Sequence, residues 1–92
     1  MKYNEIFRLK AMLENAGIQY VFRPCFDGYQ ICYPSSKDRI CSVIEHDYSY
    51  GNEKDRLEIM GLLTVEEKEC DEVVGYLTAE NVFERISKDW NK

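Results

Sequence analysis

The chain has 92 residues, 45% hydrophobic and 32% charged, with 17 acidic against 12 basic side chains for a net charge of −5. That length holds one domain, residues 1–92, with one modest core, and the composition is that of a globular chain, not a disordered one. The acidic balance disfavours direct nucleic-acid binding, which needs clustered Lys and Arg against the phosphates. The N-terminus MKYNEIFRLK is charged and periodic, unlike a leader peptide, and no run approaches the ~20 apolar residues of a membrane span. A cytoplasmic protein without membrane contact is expected, and its four cysteines, Cys25, Cys32, Cys41 and Cys70, are expected as reduced thiols.

From Tyr3 to Ala16 the residues Ile6, Leu9, Leu13 and Ala16 recur at helical spacing, which predicts an N-terminal helix. Gly17 should end it by taking the left-handed conformation, with Ile18 folding back on the last turn. From Ile18 the period becomes two through Tyr20, Phe22, Pro24 and Phe26, and Asp27-Gly28 then marks a hairpin. That turn predicts Phe26 opposite Tyr29, Pro24 opposite Ile31 and Phe22 opposite Tyr33.

A tight turn at Ser36-Lys37 predicts Tyr33 opposite Ile40 and Cys32 opposite Cys41, with Ile40, Ser42 and Ile44 continuing the core face. A third turn near Gly51-Asn52 leads to DRLEIMGLL, with Ile44 opposite Ile59 and His46 opposite Leu57. The fold class expected is α+β: an N-terminal helix, a four-stranded antiparallel meander, a short acidic helix and a C-terminal helix packed on the sheet. The last two helices are announced by an echo, G-x-L-T-x-E at Gly61 to Glu66 and again at Gly75 to Glu80, in which Thr64 and Thr78 read as N-caps and Glu67 completes a capping box. The acidic helix carries Glu66, Glu67, Glu69, Asp71 and Glu72. The C-terminal helix runs through Val82, Phe83, Ile86 and Trp90.

Three stretches, S-Y-G at Ser49 to Gly51, L-E-I-M-G-L-L at Leu57 to Leu63 and V-V-G-Y-L-T-A-E at Val73 to Glu80, carry a resemblance over Ser42 to Ile86. The segment is similar to small uncharacterised proteins encoded in phages and mobile elements of gut Gram-positive bacteria. That group has no established activity, so the resemblance implies genetic context and no mechanism.

The only histidine, His46, lies between Glu45 and Asp47 and shortly before Ser49 and Tyr50. Strand alternation points His46 to the core side and Glu45 and Asp47 away, which parts the groups a catalytic cluster needs together. A structural role is expected for His46, with Ser49 and Tyr50 serving a turn. Pairing of His46 with Cys70 as base and nucleophile, or with Tyr50, has no local support. The chain lacks G-x-x-x-x-G-K, G-x-G-x-x-G and H-E-x-x-H, so no enzyme reading finds an anchor and no cofactor is implied.

The inferred turns gather Cys25, Cys32 and Cys41 on the sheet face opposite the aromatic one. Their spacings lack the C-x₂₋₄-C knuckle of a structural zinc site, and no metal is expected. That second face also carries Val21, Val43, Met60 and Leu62 beside Arg23, Gln30, Glu45 and Glu58. It is too apolar for open solvent and too polar for a core, so the acidic helix or another chain should cover it. The candidate binding residues are Val21, Cys32, Cys41, Val43, Met60 and Leu62. The leading expectation is a non-enzymatic protein-interaction module of phage type that forms a homodimer or binds a host protein. The alternative is an acidic inhibitor that mimics nucleic-acid charge against a DNA-binding protein, and an enzyme using His46 comes third.

Overall fold

In a computed structural model the structure describes residues 2–92. Helix α1 spans Glu5–Asn15, and Ile6, Leu9 and Leu13 are buried along one stripe. Its end follows from Gly17, whose φ is 69°. The Gly17 amide bonds to the Glu14 carbonyl and the Ile18 amide reaches back to Leu13 at 3.0 Å.

Five antiparallel strands follow in chain order: β1 (Val21–Cys25), β2 (Gly28–Tyr33), β3 (Cys41–Glu45), β4 (Leu57–Met60) and β5 (Val73–Leu77). A 3-10 turn at Asn52–Lys54 lies between β3 and β4, α2 (Val65–Cys70) lies between β4 and β5, and α3 (Ala79–Trp90) comes last. The class is α+β. Helices α1 and α3 lie together on one side of the sheet, α1 over β2 and β3 and α3 over β4. Between the layers Ile6, Leu9, Leu13, Val82 and Ile86 meet Ile31, Val43, Leu57 and Ile59. Among the described residues no helix is long and apolar enough to cross a membrane.

The sheet has five strands where alternation predicts four. Val73 pairs with Met60 and Val74 with Ile59, but an irregularity then intervenes before Leu77 pairs with Leu57, and Tyr76 sits at a left-handed φ of 60°. A bulge of this kind breaks the period of two by which a strand is recognised.

The first hairpin forms two residues out of the predicted register. Phe22 pairs with Ile31 and Pro24 with Tyr29, so Phe26 and Asp27 occupy the turn and Gly28 belongs to β2. The reason lies in the next strand, because a Cβ at position 28 would overlap the Glu45 carbonyl. Glycine is required there for close approach, and not for the turn. Phe26 takes the left-handed φ of 54° instead, a conformation that costs a non-glycine residue about 1–2 kcal/mol. Asp27 offsets part of that, accepting from the Asp47 amide at 2.9 Å and the Tyr3 hydroxyl at 2.6 Å. A shift of two leaves the core-facing side of β1 unchanged.

The next hairpin is displaced by one residue, and that reverses β3. Tyr33 pairs with Cys41 and Cys32 with Ser42, not with Ile40 and Cys41. The connection is no two-residue turn: the Asp38 amide donates to the Ser35 hydroxyl at 3.0 Å and the Ile40 amide closes on the Tyr33 carbonyl at 2.7 Å, which centres the loop on Lys37. With a side-chain period of two, one residue exchanges the faces. Cys41, Val43 and Glu45 therefore point into the core, whereas Ser42 and Ile44 point out and Ile40 is exposed. The slip carries into β4, where Val43 rather than Ile44 faces Ile59.

Both threonine caps form. Thr64 accepts from the Glu67 amide and Glu67 returns a bond at 2.8 Å, while Thr78 makes the same exchange with Asn81 at 3.1 Å each way. Helix α2 ends at Cys70, so Asp71 and Glu72 lie beyond it. Replacing Gly28 by Ala should lower stability by about 1–3 kcal/mol through overpacking against Glu45. A urea titration checks this, since an unchanged midpoint would mean that β2 and β3 do not press together there.

Candidate functional site

Strand pairing assembles two rows on the side of the sheet away from α1 and α3. One takes a residue from every strand, Val21, Cys32, Ser42, Met60 and Val73; the other is Arg23, Gln30, Ile44 and Glu58. The acidic helix does not cover them. Glu67 holds α2 to α3 through paired bonds of 2.7 and 2.8 Å to the Arg85 guanidinium, which keeps the Glu67 carboxyl down at about 2. This side of the sheet is thus left without a helical layer.

Its relief is uneven. Met60 is 49% exposed, whereas Cys32 and Ser42, the small residues at the middle of the row, are buried. Polar atoms beside them are satisfied within the face: Arg23 Nε donates to Gln30 Oε1 at 2.8 Å, and Gln30 Nε2 donates to Ser42 Oγ at 2.7 Å. The middle of the row is thus closed over by its neighbours, and Met60 is the most exposed apolar side chain on it.

Of the six residues expected to bind, Val21, Cys32 and Met60 share this face. Cys41 and Val43 do not, because the one-residue slip of β3 turns them into the core. Leu62 also leaves the face: at φ 55° it follows β4 and packs on the helix side, where its carbonyl accepts from Arg85 at 3.0 Å. Ile44 replaces them, having traded sides with Val43. Arg23, Gln30 and Glu58 lie where alternation puts them, and Glu45 does not.

One end of the face is aromatic. The Phe26 ring stands 4.9 Å from the His46 ring and 5.3 Å from Tyr48, and Phe26 and Tyr48 are 76% and 75% exposed. His46 itself is buried. Its amide donates to Ser49 Oγ at 3.0 Å, Ser49 Oγ donates to its carbonyl at 2.9 Å, and its Nδ1 accepts from the Tyr48 amide at 3.1 Å. Alternation does part the three groups around His46, but in the opposite sense to the predicted one: Glu45 is interior, His46 packs on Phe26, and Asp47 turns to Tyr3 and Lys2.

The thiols are separated too. All four cysteines are free, and Cys32 and Cys41 lie on opposite faces. Burial, with Asp89 nearby, pushes the Cys41 thiol up to about 12. Among the described residues no group of three or more His, Cys, Asp or Glu side chains is placed to hold a metal ion. A groove of 570 Å³ beside α3 is floored by Leu62, Leu63 and Leu77, and its rim charges are matched, Lys88 with Glu84 and Lys92 with Asp89.

On the core side a set of carboxyls meets two helix N-termini, a feature the sequence does not announce because its members are far apart in the chain. Glu45 Oε1 accepts from the Ile6 amide at 3.1 Å, and Asp55 Oδ1 accepts from the Asn4 and Glu5 amides at 2.9 and 3.0 Å. Glu5 in turn accepts from the Ala79 amide at 2.6 Å and from Arg8 at 2.9 Å. Glu45 is wholly buried, and its carboxyl lies within hydrogen-bond reach of the Asp55 carboxylate. Burial first, then the Asp55 carboxylate, pushes its carboxyl up to about 8. Burial acts on Asp55 in the same direction, but Glu45 and the α1 amides outweigh it and hold Asp55 low. Comparison with protein-family models, with curated proteins and with solved structures gives no match.

A carboxyl whose pKa rises on folding stabilises the fold below its unfolded value and loses that contribution as pH climbs through the folded one. Wild-type stability should therefore fall between about pH 5 and 8, and Glu45→Gln should flatten that slope and be the more stable of the two at pH 9. Thermal melts across pH check this; parallel curves for the two proteins would show that Glu45 does not hold a proton in the fold.

Proposed function

We propose that this chain is a small cytoplasmic protein-interaction module of mobile-element context, which takes a protein partner, a host protein or another copy of itself, on the open side of its sheet. The observation that carries the reading is the row Val21, Cys32, Ser42, Met60 and Val73, apolar or small across all five strands and without a helical layer. A sheet face of this kind is stabilised when covered, at about 25 cal/mol per Å² of apolar surface removed from water. The edges of the sheet favour the face over strand addition as the route to a partner. Pro24 on β1 lacks the amide that an added strand would need, and the left-handed Tyr76 interrupts β5.

The face carries a single cation, Arg23, which is why neither nucleic acid nor a membrane headgroup is the partner proposed. Charge mimicry draws less support. Glu67 is taken up by Arg85 and by the Thr64 amide, and Asp71 accepts from the Glu72 amide at 2.7 Å, so the acidic run presents no unbroken row of free carboxylates.

Affinity capture from the source cell with wild type, Met60→Glu and Val65→Glu as baits tests the reading. Val65 is exposed on α2, away from the face, and serves as the control. Wild type and Val65→Glu should retain the same protein, the chain itself included, and Met60→Glu should lose it at least about tenfold. Equal retention by all three baits would remove the face as the binding surface.

A further inference from the structure

The open face is complementary to itself, and we infer that its partner is a second copy of this chain packed sheet on sheet. The inference rests on the interaction reading above and names the occupant. The acidic surplus of the chain is absent from this side of the strands, which carry one cation, Arg23 on β1, and one anion, Glu58 on β4, in the same cross-strand row.

A two-fold axis laid along the strands between β2 and β3 brings β1 of one copy over β4 of the other. Positions along the strands are kept by that operation. Arg23 then faces Glu58 of the second copy, Val21 faces its Met60, and every contact occurs twice, as an isologous interface requires. The small pair Cys32 and Ser42 lies on the axis, where two sheets at the usual spacing of about 10 Å approach most closely. Cys32 and Ser42 are already closed off from water, so the apolar surface removed on association comes from the flanks, Met60 first. Among proteins of no stated charge pattern, only another copy is guaranteed to present the matching order.

Sedimentation analysis of the full chain over a range of concentrations tests the inference. Wild type should dimerise. Arg23→Glu sets like charges against the unchanged Glu58, Glu58→Arg sets them against the unchanged Arg23, and each should weaken the dimer at least about tenfold. Mixed in equal amounts the two variants should dimerise again, because each new charge then meets an opposite one and the remaining wild-type pair is intact. Glu58 also accepts from the Tyr50 amide at 2.8 Å. The pair Val21→Lys and Met60→Glu, which leaves that bond alone, therefore repeats the design, again with loss in each variant and recovery in the mixture. A wild type that stays monomeric, single variants that dimerise like wild type, or mixtures that fail to recover would each overturn the second copy. If the wild type is monomeric and capture of another protein is still lost with Met60→Glu, the second copy falls and the interaction reading stands. If neither is seen, both fall.

Discussion

The Ile6 amide and the Glu45 carboxyl meet at 3.1 Å in a site closed to water, and the two layers of the domain are positioned around that contact. For Glu45 to reach α1 it must face the core, which fixes the face of every other residue in β3. Cys41 and Val43 follow it inward, and Ser42 and Ile44 are turned out. Gly28 completes the arrangement from β2, since only a residue without a side chain allows Tyr29 and Glu45 to pair with the Glu45 carbonyl so close. One carboxyl thus connects the seating of a helix with the make-up of the opposite surface.

The energetics explain why that carboxyl keeps its proton. Moving an ionised carboxylate into the interior costs several kcal/mol, whereas a helix N-terminus returns at most about 2 kcal/mol to a charge placed on it. With Asp55 already ionised and bonded to the two preceding amides, a second negative charge at the same helix end gains little and is repelled. Glu5 nearby pairs with Arg8 and accepts from the Ala79 amide, and Arg8 also reaches Glu80 at the start of α3.

Much of the architecture is legible from local signals. The stop of α1 at Gly17, the threonine caps of α2 and α3, and the inward faces of β1, β2 and β4 all depend on residues within a few positions of each other. What escapes is decided by contacts between distant segments. Asp27-Gly28 has the chemistry of a two-residue turn, yet Gly28 is claimed by Glu45 and the turn moves to Phe26. Ser36-Lys37 suggests a turn as well, but the Ser35 bond to Asp38 sets a loop of different parity and reverses β3. β5 hides behind its bulge. For the candidate site, the existence of an uncovered face could be read, and Val21, Cys32 and Met60 with it. Ser42 and Ile44 could not, because parity in β3 hinges on a glycine in another strand and on a helix start far earlier in the chain.

The sheet is a meander, so each strand finds its partner among its neighbours in sequence. The helical layer is different. Helices α1 and α3 pack on each other across nearly the whole length of the chain, with Glu5 at the Ala79 amide and Arg8 on Glu80 joining their first turns. The strands lie in an order that suits pairing, but α1 covers only β2 and β3, and β4 with Ile59 is covered by α3. Completing the core therefore depends on contacts between segments far apart in sequence, which form more slowly than the local pairing of the meander.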